Sequence, residues 1–257
     1  MSSTESTTAS ARLTEAQSAL ADKLLQALES GVECTVDASD TAVTSIEEAY
    51  AVQDRMVEQL GYTVTGWKIG VPPQQQAITG AVPPGQFVAS PGQFSLAGRT
   101  QAYIEAEISV TLAKTLDGRD HEVTAEEARA AVGTLHIGFE LVCSRIANLI
   151  GNLSLDYLRA DFGGAALLVK GDVIDAETYA SANVQLFHDG KLVQEKAASS
   201  IDPYGPLAEL ANIVGARGLV LKAGDTVTTG APCLCQGAAG QFVASCGNAK
   251  AVLNITD

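Results

Sequence analysis

Apolar residues recur at helical spacing in the first quarter of the chain. The first pattern opens with Thr14 and Gln17, a capping-box pair, and runs through Ala, Leu and Lys to Gly31. The second begins after Ser45 and ends at Gly61, where a glycine is typical of a helix terminus. The N-terminal fifth of the chain is therefore predicted to be helical.

Beyond residue 61 the pattern changes to short β-branched runs separated by Gly and Pro. Alternation predicts strands at 63–71 and at 104–112. The Asp-Gly pair at 189–190 favours a tight hairpin turn. The Pro- and Gln-rich stretch from 72 to 98 is predicted to be a long loop or a pair of hairpins.

Two further helices are predicted among these strands. One follows Thr124, which has a glutamate three residues later, and the other covers Pro206–Ala216. The run 135–150 is apolar enough to be either a strand or a helix. The fold class expected from this order is α+β.

The chain has 257 residues, of which 46% are hydrophobic and 18% charged, which is enough to form a core without disulfides. We expect a helical N-terminal segment over 1–62 and a β-rich body over 63–257, both in one domain. Residues 1–12 are small and polar and are expected to form a flexible tail.

Charge and cysteine content narrow the choice of partners. The 30 acidic residues against 16 basic ones leave a net charge of −14, so nucleic acid and anionic membrane surfaces are not expected partners. No apolar run is long enough to span a membrane. The odd number of cysteines, 5, favours a reduced, cytoplasmic setting, and Cys233 and Cys235 are interpreted as structural thiols because no second Cys/His pair follows them.

The sharpest local pattern is the pair Glu105 and Glu107 in a predicted strand. Side chains two residues apart in a strand point to the same face, so the two carboxylates are expected side by side. Two neighbouring buried anions require a cation or a proton between them, and oxygen ligands are those that Mg²⁺ or Mn²⁺ prefers. The alternative is an exposed face with two solvated glutamates.

Glu140 lies within an otherwise apolar run over 135–143, where an unpaired carboxylate is costly. It is expected to be either a third metal ligand or the ion-pair partner of Arg145. His136 in the same run is interpreted as a hydrogen-bonded core residue, with metal ligation as the alternative.

Lys68 lies between Trp67 and Ile69 in a strand flanked by glycines. It either extends outward to solvent or points into a cavity where it binds an anion or transfers a proton. The sequence contains no phosphate-binding Gly-Lys-Ser/Thr motif, no dinucleotide glycine motif and no Gly-x-Ser-x-Gly elbow.

Five segments containing these residues occur in a characteristic order, at 66–70 (GWKIG), 104–108 (IEAEI), 139–146 (FELVCSRI), 159–161 (RAD) and 223–231 (AGDTVTTGA). In order and spacing they resemble the 2-keto-4-pentenoate hydratase family, which also contains the 4-oxalocrotonate decarboxylases, within the fumarylacetoacetate hydrolase superfamily. The resemblance extends from about residue 15 to the C-terminus.

This resemblance implies a mixed β-barrel-like body of the superfamily's C-terminal-domain type, preceded by helices. It implies Mg²⁺ or Mn²⁺ held by Glu105, Glu107 and Glu140, with Lys68 and Asp161 as catalytic residues. The implied activity is that of a cytoplasmic, homo-oligomeric lyase. Such an enzyme adds water to a short 2-hydroxy-dienoate or 2-keto-enoate in a catabolic pathway of the meta-cleavage kind.

Three alternatives stay open: decarboxylation of a 2-keto diacid, hydrolysis of an acylpyruvate, and a non-catalytic binding role. Two segments depart from the family pattern. The acidic turn of the family is replaced by the acid-free segment 82–87, and Ala-Asp-Asn-Ala-Ser becomes Ala-Asp-Phe-Gly-Gly at 160–164. We therefore expect the metal side of the site to match the family and the substrate side to differ.

Overall fold

The computed structural model describes residues 13–257. The predicted tail over residues 1–12 lies outside the described residues. The helices within the described part are α1 (Glu15–Ser30), α2 (Ile46–Leu60), α3 (Ala125–Ala131), α4 (Leu155–Ala160), α5 (Ala176–Ser181) and α6 (Tyr204–Ala216). The strands are β1 (Gly66–Gly70), β2 (Ile78–Ala81), β3 (Phe87–Ala89), β4 (Gly92–Ser95), β5 (Tyr103–Leu112), β6 (Val132–Val142), β7 (Ala165–Ile174), β8 (Asn183–His188), β9 (Lys191–Ala197), β10 (Thr226–Thr228), β11 (Cys233–Gln236), β12 (Gly240–Cys246) and β13 (Ala249–Thr256).

Both predicted N-terminal helices are present, and their first turns show why. Thr14 and Gln17 each accept a hydrogen bond from the other's backbone N–H, which completes the capping box of α1. Ser45 caps α2 by accepting from the Glu48 N–H, but the Glu48 carboxylate accepts from Thr44 rather than from Ser45. The second cap is therefore shifted by one residue from an ideal capping box.

The strands form two mixed sheets. The larger has the order β2-β1-β10-β5-β6-β7-β3, with β11 also paired to β5, and the smaller has the order β4-β13-β12-β8-β9. Parallel pairs join β1 to β10, β3 to β7 and β4 to β13. Strand β13 packs against β6 and β7, which brings the two sheets together. The predicted mixed α+β class is confirmed.

Two uncertain regions of the sequence are resolved by this topology. The stretch 72–98 holds three short strands: β2 forms an antiparallel pair with β1, but β3 and β4 run parallel to β7 and β13. Neither a long loop nor a pair of hairpins describes this stretch, because it holds three strands and the chain crosses between the sheets at β3 and β4. The run 135–150 is a strand up to Val142 and irregular after it.

The hairpin at Asp189 and Gly190 is confirmed, with φ values of 48° and 75°.

The alternation along β5 determines which of its faces is polar. Ile104, Ile108 and Val110 are fully buried in the apolar core. Burying one such side chain contributes about 1.5–3 kcal/mol. A one-residue shift in register would turn these residues away from the apolar core and move Glu105 and Glu107 into it, so the register is strongly specified.

All five cysteines are free thiols. Cys233 is buried and its thiol donates to the Val184 carbonyl oxygen, whereas Cys235 is half-buried. Among residues 13–257, no helix is long and apolar enough to cross a membrane.

Candidate active site

Strands β5 and β6 bring the three predicted metal ligands together. Glu105 lies directly opposite Glu140 in the antiparallel register, and Glu107 follows on the same face of β5. One carboxylate oxygen from each of the three lies within 4.8 Å of the others. Glu107 and Glu140 are both 1% exposed, whereas Glu105 is partly exposed. We refer to these three residues as the carboxylate cluster.

Lys68 completes this group from β1. Its Nζ lies 2.6 Å from Glu140 Oε1 and donates a hydrogen bond to the Gly163 carbonyl oxygen at 3.1 Å. The side chain is buried, so Lys68 points into the protein and not to solvent. The alternative that Arg145 neutralises Glu140 is wrong, because Arg145 pairs with Asp161.

Two groups from β10 and the residues after it hold the glutamates in place. Thr228 Oγ1 donates to Glu140 Oε2 at 3.0 Å, and the Gly230 N–H donates to Glu107 Oε2 at 2.9 Å. Thr228 reaches Glu140 because β10 lies between β1 and β5 in the sheet. Sequence reasoning missed both roles: the segment 223–231 stands out as a motif, but only the sheet order shows what its residues touch.

Burial and mutual repulsion shift the pKa values of these groups. Burial raises the pKa of Glu107 well above its ordinary value, and the charges of Glu105 and Glu140 add to the effect. Burial and Glu140 also raise the pKa of Glu105, against an opposing contribution from Lys68. Burial alone would lower the pKa of Lys68, but the nearby carboxylates, Glu140 foremost, raise it.

The charge and donor types of the cluster fit a divalent cation. Three ionised carboxylates and one ammonium leave a net charge of −2, which a divalent ion balances. The oxygens lie within 4.8 Å of one another, close to the roughly 4.2 Å between opposite ligands around Mg²⁺. Glu140 Oε1 is buried beside the Lys68 ammonium, and its second lone pair leaves it the capacity to bind a cation as well.

Asp161, the second predicted catalytic residue, lies apart from the carboxylate cluster. It is fully buried, and its carboxylate accepts from Ser144 Oγ at 2.9 Å, from the Arg145 N–H at 2.6 Å and from Arg145 Nη1 at 2.9 Å. Both oxygens are thus occupied by neighbouring donors. The contacts anchor the turn that follows at 162–164, and a catalytic role for Asp161 stays a prediction.

The turn at 162–164 shapes the space around Lys68. Phe162, Gly163 and Gly164 have φ values of 52°, 64° and 75°, all in the left-handed region. A Cβ at Gly163 would lie 3.0 Å from Lys68 Cδ. The turn is also tight against β2, since a Cβ at Gly80 would lie 1.8 Å from the Phe162 carbonyl oxygen. The turn therefore places the Gly163 carbonyl oxygen beside the lysine.

The acid-free segment 82–87 is tied to the same network. Gln86 Oε1 accepts from Arg145 Nη2 at 2.9 Å, and the Gln86 carbonyl oxygen accepts from the Leu168 N–H at 2.7 Å.

His136 lies away from the carboxylate cluster, with its ring nitrogens 2.8 Å from Thr134 Oγ1 and 3.2 Å from the Gly171 carbonyl oxygen. These contacts match its interpretation as a hydrogen-bonded core residue.

Two curated proteins are similar to the chain in sequence. The 2-hydroxyhexa-2,4-dienoate hydratase of Comamonas testosteroni is 29% identical over 205 residues, covering 72% of this chain and 76% of the relative. The 4-oxalocrotonate decarboxylase of Pseudomonas sp is 27% identical over 228 residues, covering 83% of this chain and 87% of the relative. No protein-family model matches the chain.

A solved structure shares the fold over nearly the whole chain. It is the 4-oxalocrotonate decarboxylase from Pseudomonas putida G7, complexed with magnesium and adipate. Its TM-score is 0.82 at 22% identity, covering 95% of this chain and 99% of that one. The two sequence relatives confirm the resemblance to the hydratase and decarboxylase family, and this structure shows the shared fold.

Proposed function

We propose that this protein is a divalent-metal-dependent lyase that adds water to a short 2-hydroxy-dienoic acid, with Glu105, Glu107 and Glu140 as ligands of Mg²⁺ or Mn²⁺. The observation that carries the proposal is the buried carboxylate cluster with Lys68 against one of its members. The similarity to a dienoate hydratase over 72% of the chain supports the choice of reaction.

The chain's own residues supply orientation and a proton. A divalent ion held by Glu105, Glu107 and Glu140 would supply positive charge that stabilises negative charge developing on the substrate. Lys68 Nζ provides a second positive charge and a proton within the same enclosed space. Thr228 and the Gly230 N–H keep two glutamates oriented, as the outer partners of metal ligands do.

Decarboxylation of a 2-keto diacid is the second candidate. The decarboxylase relative covers 83% of the chain, more than the hydratase does. Both reactions use the same stabilisation of negative charge at the 2-oxygen, so the carboxylate cluster suits either. The altered segments 82–87 and 160–164 are the regions in which we expect the choice of substrate to be decided.

Further parts of the proposal concern the whole protein. We propose a barrel-like body of the fumarylacetoacetate hydrolase type over 63–257, with the helical segment 1–62 in the same domain. We also propose that the protein works in the cytoplasm as a homo-oligomer on small 2-keto or 2-hydroxy acids. The fold shared with the decarboxylase structure over 95% of the chain supports this type of body.

The test is the ultraviolet decay of freshly generated 2-hydroxypenta-2,4-dienoate with purified protein and Mg²⁺ or Mn²⁺, repeated with excess chelator. Metal-dependent decay with 2-keto-4-hydroxypentanoate as product is the expected result. Release of CO₂ from a 2-keto diacid would instead establish the decarboxylase. No turnover of either substrate, in protein shown by calorimetry to bind the metal, would overturn the proposed chemistry.

Two variants test the metal ligands themselves. Glu105→Gln removes one charged ligand, and we expect both metal affinity and turnover to fall by about 10-fold or more. Glu126→Gln is the matched control, because this glutamate lies exposed on α3. A Glu105→Gln protein with full metal-dependent turnover would show that the ligand assignment is wrong.

A further inference from the structure

Gln53, on α2, is completely buried and makes four hydrogen bonds within the protein. Its Nε2 donates to the Thr79 carbonyl oxygen at 3.1 Å and to the Arg159 carbonyl oxygen at 2.6 Å. Its Oε1 accepts from the Ala81 N–H and from Arg217 Nη2, both at 3.3 Å. A side-chain amide has two donor hydrogens and two acceptor lone pairs, so all of its positions are occupied.

Two of these bonds lie along the free edge of β2. This strand is at the end of the larger sheet, so only one of its edges pairs with another strand, β1. On the other edge, Gln53 bonds Thr79 and Ala81, and the Tyr50 hydroxyl accepts from the Thr79 N–H at 3.2 Å. Side chains of α2 therefore satisfy this edge in place of a neighbouring strand.

The same amide joins β2 to α4. Arg159, whose carbonyl oxygen accepts from Gln53, lies in the last turn of α4. Its own side chain donates to the backbone just before β2, from Nε to the Ala77 carbonyl oxygen at 3.0 Å and from Nη2 to the Gln76 carbonyl oxygen at 2.6 Å. Gln53 and Arg159 together hold β2 against the end of α4.

The turn that follows α4 contacts both β2 and Lys68. Gly80, which is paired with Lys68 in the register of β1 and β2, lies so close to this turn that a Cβ would be 1.8 Å from the Phe162 carbonyl oxygen. A Cβ at Gly163 would lie 3.2 Å from the Thr79 carbonyl oxygen and 3.0 Å from Lys68 Cδ. The Gly163 carbonyl oxygen accepts from Lys68 Nζ. A shift of β2 relative to α4 would therefore move an acceptor of the ammonium.

We infer that Gln53 is a positioning residue for Lys68. By holding β2 against the end of α4, it fixes the Gly163 carbonyl oxygen that accepts from the ammonium. Because all of its hydrogen-bonding positions are occupied, Gln53 acts through the backbone and not on a substrate. The effect on turnover rests on the proposed function, whereas the effect on the position of the ammonium does not.

Chemical labelling of Lys68 tests the position of the ammonium without reference to any reaction. Gln53→Met keeps the size of the side chain and removes its hydrogen bonds. Acetylation of Lys68 by acetic anhydride is followed by peptide mass spectrometry, with the exposed Lys114 as the internal reference. We expect the labelling rate of Lys68 relative to Lys114 to rise at least about 10-fold, because buried backbone groups left without a partner favour local opening.

Asn212→Leu is the matched control. Asn212 is also a helix amide that bonds backbone, accepting from the Val123 N–H at 2.8 Å and donating to the Val123 carbonyl oxygen at 3.0 Å. Urea unfolding of both variants gives the share of labelling that comes from global unfolding. If Gln53→Met fails to fold by circular dichroism, Gln53→Glu replaces it, which as a carboxylate keeps the acceptors and loses both donors. Unchanged labelling of Lys68 in the Gln53 variant, or an equal rise in Asn212→Leu after correction for global unfolding, would overturn the inference.

Steady-state kinetics with 2-hydroxypenta-2,4-dienoate at saturating Mg²⁺ separate positioning from substrate binding. In Gln53→Met we expect kcat per folded molecule to fall at least about 10-fold, with KM changed by less than about twofold. Asn212→Leu should keep both constants. A loss confined to KM would show that Gln53 shapes substrate binding and does not position Lys68. If the parent protein has no turnover, the proposed function fails, and the labelling of Lys68 alone decides the role of Gln53.

Discussion

At the scale of single residues, repulsion among the carboxylates of the cluster destabilises the metal-free protein, and a bound metal ion would relieve it. In Glu107→Gln a neutral amide replaces the most buried of the β5 carboxylates and can still accept from the Gly230 N–H. We expect the melting temperature of the metal-free protein to rise by several degrees, because glutamine needs neither a buried charge nor the proton that Glu107, with its raised pKa, takes up on folding. The stabilisation that added Mg²⁺ gives the parent protein should largely disappear.

Thermal melts with chelator measure the expected rise in melting temperature, and melts with Mg²⁺ measure the expected loss of stabilisation by the metal. Glu126→Gln, exposed on α3, is the control for the loss of one negative charge. If Glu107→Gln lowers the stability of the metal-free protein, Glu107 is held by favourable contacts and not strained by its neighbours.

The buried Asp161 and Arg145 pair gives a second residue-scale prediction. Asp161→Asn leaves the guanidinium without its counter-ion, and the free energy of unfolding should fall by about 3–5 kcal/mol, as for other broken buried pairs. Asp117→Asn breaks an exposed pair with Arg119 and should change stability little. Urea unfolding measures both.

Asp161 either anchors the 162–164 turn or acts in catalysis, and measurements of stability, metal affinity and turnover at saturating metal separate the two roles. If it anchors the turn, Asp161→Asn loses stability, and the protein that remains folded keeps its metal affinity. A variant that is fully stable but inactive would instead establish Asp161 as a catalytic residue.

At the scale of elements, the 162–164 turn positions Lys68. Gly163→Ala introduces a Cβ in the left-handed region, 3.0 Å from Lys68 Cδ, so it should destabilise the fold by about 1–2 kcal/mol. It should also reduce kcat by displacing the ammonium. Gly190 has a similar φ of 75° with nothing within 4 Å. Gly190→Ala therefore matches the backbone strain without the contact.

Comparison of the two glycine variants isolates the contact with Lys68. We expect both to lose stability in urea, but only Gly163→Ala to lose turnover per folded molecule. Equal turnover in the two variants would show that the turn does not determine where the lysine lies.

The same elements show how far sequence reasoning extends. Strand β5 could be predicted because one of its faces is apolar and the other polar, and that alternation also placed Glu105 beside Glu107. Strand β6 is buried over most of its length, so its sequence loses the period that separates strand from helix. Strands β3 and β4 have three and four residues and pair with distant partners, which no local pattern encodes.

Pairings across the sheet set a similar limit for the candidate site. The sequence predicts that Glu140 has a partner, because a lone carboxylate in an apolar run needs one. It does not identify that partner, Lys68, which lies 72 positions away in the chain. The sequence-adjacent Arg145 was the simpler alternative, and it pairs with Asp161 instead. The Thr228 hydrogen bond depends on β10 lying between β1 and β5, which only the folded topology reveals.

At the scale of the whole molecule, stability should depend on pH through the one histidine that is well buried. Burial and the nearby charge of Lys170 lower the pKa of His136 from its ordinary 6.5. Between that value and the folded pKa the unfolded chain binds more protons than the folded protein. Stability is therefore fully present above about pH 6.5 and falls as the pH drops below it, by at most about 1.4 kcal/mol per pH unit.

His136→Gln tests this, with His121→Gln as the control because His121 is exposed. Urea unfolding at about pH 7.5 and about pH 5.5 gives the loss of stability for each protein. Because both glutamines lack a titrating ring, the difference between their losses isolates burial from the mere removal of a histidine. We expect a smaller loss in His136→Gln than in the parent, with His121→Gln close to the parent. Equal losses in all three would mean that other groups govern the acid response and that His136 keeps its ordinary pKa when folded.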